Sequence, residues 1–113
     1  MSHLKIINTV YTIQQIEDII RPIVSKYDIE KVSVFGSYAK NTATVKSDID
    51  FYLEGYVYHK FLNLGNLFAD LEEAFHKHID IITDLDLKHN QGIDELQNNI
   101  IEEKVTVYER QKH

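Results

Sequence analysis

The sequence predicts an α/β fold of the α+β type, in which a small mixed β-sheet is flanked by helices. Short runs of branched apolar residues alternate along the chain with longer segments whose apolar residues recur at helical spacing. No repeat, low-complexity tract or linker divides the 113 residues, so we predict one domain that spans residues 1–113. The predicted order is helix, strand, helix, strand, helix, strand, helix, strand.

The first predicted helix runs from Thr12 to Tyr27, where isoleucines recur at spacings of three and four. Thr12 and Gln15 have the spacing of a capping box, which satisfies backbone donors at the amino end of a helix. Pro22 lies inside this pattern and has no backbone N–H. We therefore expect a bend at Pro22 rather than a break.

The elements that follow are short. The apolar run Val32–Phe35 predicts a buried strand that ends in a Gly-Ser turn. Residues Ser37–Ala43 are predicted to form a brief helix, which Asn41 can end because asparagine tolerates the left-handed conformation. Asp48–Leu53 alternates weakly and predicts the second strand.

The second half of the chain holds the remaining predicted elements. Apolar residues at helical spacing predict a long central helix over roughly Tyr58–Lys77. The isoleucines around Asp80 predict a third strand. Gly92–Glu103 is predicted to be helical and Lys104–Tyr108 to be a short last strand. The order of the strands in the sheet is not predicted.

The composition limits the classes of site that the chain can build. There is no cysteine, which excludes disulfides and thiolate metal sites, so a metal would need oxygen or histidine ligands. The amino end does not have the layout of a signal peptide and the apolar runs are short, so we expect a cytoplasmic protein without a membrane anchor. The histidines have no convincing zinc spacing, and we expect them at the surface.

The charge of the chain bears on its partners. Eighteen acidic and twelve basic residues give a net charge of −6, which disfavours broad binding to nucleic acid. A single nucleoside triphosphate held through a metal remains compatible with this charge, because Mg²⁺ supplies the positive charge that the protein lacks.

Three aspartates are candidates for metal binding and catalysis. Asp48 and Asp50 are two residues apart in a predicted strand, so their side chains project to the same face. Two carboxylates on one face repel each other unless a cation lies between them, and Mg²⁺ is usually held by one or two carboxylates together with phosphates. Asp80, between isoleucines on another strand, would be the third carboxylate, acting as a ligand or base for a second ion.

Residues upstream of these aspartates are candidates for binding phosphate. Gly36 permits close approach of the backbone to a phosphate, and Ser37 offers a hydroxyl beside backbone amides. Lys40, which follows in the same segment, could reach a triphosphate.

Gly36 and Ser37, separated by ten residues from Asp48-Ile49-Asp50, resemble the motif of the DNA polymerase β-like nucleotidyltransferase superfamily. The serine before the first aspartate, Ser47, belongs to the same pattern and is a further candidate for binding the nucleotide. The match covers residues 32–51, and with Asp80 and the 102–108 segment it extends over most of the chain. Within the superfamily the sequence is most similar to the stand-alone minimal nucleotidyltransferases, often the MntA-like partner of a HepT-like protein.

This resemblance implies adenylyl transfer from ATP, with Mg²⁺, to a tyrosine of a HepT-like toxin, which would make the enzyme an antitoxin. It implies that Ser37 contacts phosphate, that Asp48 and Asp50 bind Mg²⁺, and that Asp80 completes the catalytic triad. The sequence departs from the family where Lys40 and Asn41 replace the usual Arg-Gly. Lysine still binds phosphate, as a point charge rather than a planar fork.

Other functions remain open at this point. A binding module with this fold could mask a partner by stable contact, and the acidic surface would suit a basic partner. Nucleotidylation of a small molecule such as an aminoglycoside is a second alternative, although such relatives generally carry an additional helical domain. A polymerase-like role on nucleic acid is hardest to reconcile with the charge.

Overall fold

A mixed β-sheet with two helices packed on one face forms the framework of the protein, in a computed structural model that describes residues 9–27, 29–55, 64–84, 100 and 102–111. The predicted α+β class with a small mixed sheet is confirmed. The elements, in chain order, are α1 (Ile13–Val24), β1 (Lys31–Phe35), β2 (Ile49–Glu54), α2 (Leu64–Phe75), β3 (Ile79–Thr83) and β4 (Val105–Glu109).

The four strands are arranged in the order β3-β2-β1-β4. Strand β1 is antiparallel to both β2 and β4, and its register with β4 shifts between Val32 and Ser33. Strands β2 and β3 are parallel, and α2 lies between them in the sequence. Parallel neighbouring strands must be joined by such a crossover connection. Because β2 and β3 run in the same direction, their amino ends lie at the same end of the sheet.

Helix α1 begins as the sequence predicts. The Thr12 hydroxyl accepts a hydrogen bond from the Gln15 backbone N–H at 3.1 Å, and the Gln15 side chain accepts one from the Thr12 N–H at 2.9 Å. The helix continues through Pro22 to Val24, so the proline does not break it. Its buried residues lie at spacings of four and belong to the core: Ile16, Ile20 and Val24.

The main core lies between one face of the sheet and the two helices. Phe51 and Phe75 are fully buried at its centre, with their ring centroids 5.9 Å apart. Burying an apolar side chain of this size contributes roughly 1.5–3 kcal/mol. The other face of the sheet carries a smaller apolar cluster, in which Tyr52 and Ile100 are buried and Phe35 and Ile82 are partly buried. Because side chains alternate along a strand, Asp50 and Asp80 lie on this second face.

The predicted brief helix over 37–43 is wrong. Residues 36–41 form consecutive turns, in which the Lys40 N–H donates to the Gly36 carbonyl at 3.1 Å and the Thr42 N–H donates to the Ser37 carbonyl at 2.9 Å. Gly36 and Asn41 adopt positive φ angles of 69° and 61°. Left-handed residues at both ends leave too few right-handed residues for a regular helix.

The bounds of other predicted elements also change. The second strand begins at Ile49, so Asp48 immediately precedes it, and the last strand covers Val105–Glu109. The predicted start of the central helix near Tyr58 lies outside the described residues. So does most of the helix predicted over Gly92–Glu103, of which Ile100, Glu102 and Glu103 are helical. In the part of the chain that the structure describes, no helix is both long and apolar enough to cross a membrane.

Candidate active site

Asp50 and Asp80 form the centre of the candidate site. They occupy facing positions on the parallel strands β2 and β3, so their side chains share one face of the sheet. Burial, together with the negative charge of Asp80, a hydrogen bond to Asp80 and the charge of Asp48, raises the pKa of Asp50 to about 7. The carboxylates are therefore close enough to repel one another, and Asp50 holds a proton more readily than an ordinary aspartate does.

Asp48 is presented by a turn that ends at the start of β2. The Ser47 hydroxyl accepts from the Thr44 N–H at 2.8 Å, and the Ser47 N–H donates to the Thr44 carbonyl at 3.0 Å. The Lys46 N–H donates to the Thr44 hydroxyl at 3.3 Å. Ser47, which the sequence predicts to bind nucleotide, thus braces the turn that leads to Asp48, and Asp48 itself is exposed.

Gly36 lies against the carboxylate of Asp50. Its φ angle is 69°, and a Cβ atom added there would lie 2.5 Å from Asp50 Oδ2. The preceding residue, Phe35, pairs with Asp50 across β1 and β2. A glycine is therefore required both by the backbone conformation and by the space that the Asp50 carboxylate occupies. Ser37, the predicted phosphate contact, follows directly in the turn and is half-buried.

Lys40, the predicted contact for the triphosphate, pairs with a carboxylate of the protein. Its ammonium lies 3.3 Å from Glu103 Oε2, and both side chains are partly exposed. This ion pair connects the turn after β1 to the segment before β4. Lys40 is therefore placed beside a carboxylate that would compete with a phosphate for it.

The donor set fits a hard divalent cation that also binds phosphate. Among the described residues, no group of three or more histidine and acidic side chains is arranged closely enough to hold a metal ion alone. Mg²⁺ does not need such a cage, because it is commonly bound by one or two carboxylates, waters and substrate phosphates. The mutual repulsion around Asp50, and the oxygen chemistry of Asp48 and Asp80 beside it, match that mode of binding.

A second polar group lies on the same sheet face, along β2 from Asp50. The Lys104 ammonium is 2.9 Å from Glu54 Oε1 and 5.4 Å from the centre of the Tyr52 ring. Burial, together with the charges of Glu54 and Asp84, raises the pKa of Tyr52 to about 12. Tyr52 therefore stays neutral, and it is buried on the same sheet face as Asp50.

Lys77 is a residue near the site that sequence analysis missed. Its side chain is buried, with 2% of the residue exposed, and Nζ donates to the Val45 carbonyl at 2.9 Å. In the sequence it stands between two histidines at the end of a predicted helix, where a lysine is ordinarily solvated. No local pattern distinguishes it, because its partner lies 32 residues away.

One surface groove lies apart from this site. It has a volume of about 500 Å³, lies between α1 and β4, and is lined by residues that include Arg21, Tyr108 and Arg110. Strand β4 is at the opposite edge of the sheet from β3, and none of the three aspartates lines the groove.

The small mixed sheet with its two helices matches the polymerase β-like nucleotidyltransferase fold. The family described as "Polymerase beta, Nucleotidyltransferase" matches residues 17–113, and the chain belongs to this family.

Similar sequences include two from Methanocaldococcus jannaschii that are named "Putative protein adenylyltransferase". MJ0435 is 35% identical over 95 residues, which cover 84% of this chain and 97% of that protein. MJ0128 is 42% identical over 67 residues, which cover 53% of this chain and 68% of that protein.

Solved structures share the fold at low sequence identity. A toxin-antitoxin with AMP-PNP has a TM-score of 0.65 at 18% identity, over 84% of this chain and 74% of that chain. A mutant of the toxin-antitoxin MntA-HpeT has a TM-score of 0.59 at 19% identity, over 90% of this chain and 76% of that chain. At these identities the likeness shows the fold.

Proposed function

We propose that this chain is a Mg²⁺-dependent protein adenylyltransferase that moves AMP from ATP to a tyrosine of a HepT-like toxin and so acts as an antitoxin. The observation that carries the proposal is the in-register pair Asp50 and Asp80, with Asp48 beside it. Their mutual repulsion is relieved when a cation binds between them. The names of the similar sequences, and the toxin-antitoxin structures with this fold, support the substrate and the partner.

Each residue has a part in the proposed reaction. Asp48 and Asp50 would hold Mg²⁺ together with the triphosphate, and Asp80 would be the third carboxylate of the site. When bound, Mg²⁺ supplies positive charge that offsets the charge developing on the phosphates. Gly36 and the turn after it bring backbone amides close to the triphosphate. Asp80 is exposed, so the acceptor hydroxyl can approach it from solvent.

The transfer step is an in-line displacement. The tyrosine oxygen forms a bond to the α-phosphorus of ATP, and the bond from that phosphorus to the bridging oxygen of the β-phosphate breaks. Pyrophosphate leaves with the electron pair of the broken bond. The hydroxyl proton passes to the carboxylate of Asp80, which serves as the base.

Intact-mass spectrometry tests the proposal. A HepT-like protein from the same genome would be incubated with this chain, ATP and Mg²⁺, and peptides would then be mapped. We expect an AMP-sized increment on a tyrosine with the wild-type chain and none with Asp48→Asn. An unmodified toxin after prolonged incubation would contradict the proposal.

A non-catalytic module that masks its partner is the second candidate. The ion pair between Lys40 and Glu103 favours this candidate, because Lys40 already pairs with a carboxylate of the protein. The net charge of −6 also suits stable contact with a basic partner. A tight complex that protects against the toxin without any mass increment would support this second candidate.

A further inference from the structure

The turn that carries Asp48 is held at both ends by a single neighbouring segment, the connection between α2 and β3. On one side of Asp48, the ammonium of Lys77 donates to the Val45 carbonyl at 2.9 Å. On the other side, the Ile49 N–H donates to the His78 carbonyl at 3.2 Å. Asp48 lies between these two anchors, and Asp80 follows shortly after them in the sequence.

The connection between α2 and β3 begins with a hydrogen bond and a left-handed residue that together end the helix. Helix α2 ends at Phe75, and the His76 N–H still donates to the Glu72 carbonyl at 2.8 Å. His76 then takes a left-handed conformation with a φ angle of 53°. This reversal ends the helix and turns the following lysine toward the interior instead of letting it continue along an exposed helix face.

The burial of Lys77 is unusual for its residue type. Lysines generally cover apolar surface with their methylenes and keep the ammonium in water. Lys77 is only 2% exposed, and among the described residues no carboxylate forms an ion pair with it. Its ammonium hydrogen-bonds a backbone carbonyl instead. Burying an ammonium group is unfavourable unless it is hydrogen-bonded. The bond from Lys77 to the Val45 carbonyl therefore ties the turn that carries Asp48 to the connection between α2 and β3.

The rest of the turn cannot provide this anchor. The hydrogen bonds among Thr44, Lys46 and Ser47 are internal to the turn, so they set its shape. They do not fix where the turn sits relative to β3. Val45 is 42% exposed, so its side chain adds little to the packing of the turn, and the apolar residues that pack on the core, Ala43 and Ile49, lie just outside it.

We propose that Lys77 is a positioning residue that holds Asp48 in place relative to Asp80 for binding of a metal nucleotide. This inference rests on the proposed function, because it takes the aspartates as the metal-binding carboxylates. Groups that orient metal ligands without touching the metal typically change metal affinity about 10- to 100-fold when mutated. Lys77 acts through the Val45 carbonyl and the turn, without contact with the substrate.

Hydrogen exchange of the metal-free protein is the first test. Lys77→Met removes the ammonium and keeps most of the side-chain volume, so amides in the 44–48 turn should exchange faster. Lys77→Arg should restore protection. Lys46→Met is the matched control, because it removes an equal charge from an exposed side chain of the same turn and should leave exchange there unchanged.

The second test is binding of Mn²⁺·ATP, measured by calorimetry without any acceptor. Lys77→Met should weaken binding about 10- to 100-fold. In an Asp48→Asn background the same substitution should cause little further loss, because the residue that Lys77 positions has already been changed. Wild-type exchange and affinity in Lys77→Met would overturn the inference. So would an equal loss in both backgrounds, which a merely structural role predicts.

Two further measurements serve as controls, one for the folding of each variant and one for AMP transfer. Circular dichroism would establish that each variant is folded. If Lys77→Met does not fold, Lys77→Gln takes its place, and the same two results decide the matter. A wild-type chain that binds Mn²⁺·ATP through Asp48 but transfers no AMP would overturn the proposed function and leave this inference standing. Normal transfer together with an unaffected Lys77 variant would overturn this inference alone.

Discussion

Asp50 and Asp80 face each other across the parallel strands β2 and β3, on the sheet face opposite the main core, and the proximity of Asp80 contributes to the raised pKa of Asp50. A stable protein seldom places two carboxylates in register without a cation, because like charges directly opposite each other destabilise a sheet. The in-register pair is therefore expected to lower the stability of the protein when no cation is bound.

The first prediction is that Asp50→Asn stabilises the metal-free protein. The pKa of Asp50 is raised from 3.8 to about 7 by burial and by Asp80 and Asp48. The folded state therefore binds this proton more tightly than the unfolded state, and the resulting stability is lost as the pH rises from about 4 through about 7. The neutral asparagine avoids that loss.

Thermal unfolding in a chelating buffer measures this effect. The Tm advantage of Asp50→Asn over wild type should be small near pH 4, should grow as the pH rises to about 7, and should level off above that pH. Glu73→Gln, which neutralises an exposed carboxylate on α2, is the matched control and should show no such trend. A Tm advantage that is independent of pH would show that Asp50 ionises normally.

The second prediction concerns Gly36→Ala. The new Cβ would lie 2.5 Å from Asp50 Oδ2, so the carboxylate must move away from its position. A left-handed conformation also costs about 1–2 kcal/mol per non-glycine residue. We expect AMP transfer to fall by at least a factor of about ten, since small displacements of reacting groups can cost 100-fold.

Gly55→Ala provides the comparison for that variant. Gly55 has a φ angle of 87°, and an added Cβ would meet the side chain of Glu30 rather than an aspartate of the site. Both variants should lower the free energy of unfolding, but only Gly36→Ala should lower AMP transfer per folded molecule. Equal losses of activity in the two variants would mean that Gly36 acts through stability alone.

The third prediction separates the two partners of the surface ion pair. If Lys40 binds phosphate, Lys40→Met raises the KM for ATP, whereas Glu103→Gln lowers it by releasing the lysine. Exposed ion pairs contribute about 0–1 kcal/mol, so neither change should alter the unfolding free energy by more than that. Steady-state kinetics at varied ATP concentration would show this. Parallel changes in KM for both variants would exclude a direct phosphate contact.

The fourth prediction tests the fold apart from the site. Thr12→Ala removes the acceptor for the Gln15 N–H at the start of α1 and should cost about 1 kcal/mol of stability. The capping box lies on α1, away from the three aspartates, so AMP transfer at a temperature well below the Tm should be unchanged. Chemical denaturation and the transfer assay, run on one preparation, measure both quantities.

Local patterns in the sequence predicted those parts of the structure that depend on local geometry. The capping box follows from the fixed spacing of Thr12 and Gln15. The placement of Asp50 on a strand follows from the alternation of side chains along the chain. The brief helix over 37–43 was predicted wrongly because side-chain pattern does not reveal that Gly36 and Asn41 both take left-handed angles.

Contacts between residues that are far apart in the sequence could not be predicted from local patterns. The register of Asp80 with Asp50 depends on β3 being the parallel neighbour of β2, and strand order was not predicted. The burial of Lys77 likewise depends on where the 44–48 turn packs. The roles of Ser37 and Lys40 toward phosphate remain predictions, since each was inferred from residue type and resemblance.

Transfer of label from ATP tests the central claim most directly. ATP radiolabelled at either the α-phosphate or the γ-phosphate would be incubated with the chain, Mg²⁺ and the HepT-like protein, in parallel with Asp50→Asn. We expect the α-label alone to appear on the HepT-like protein, and only with the wild-type chain. Label from the γ-phosphate, or equal α-label with Asp50→Asn, would contradict adenylyl transfer by these aspartates.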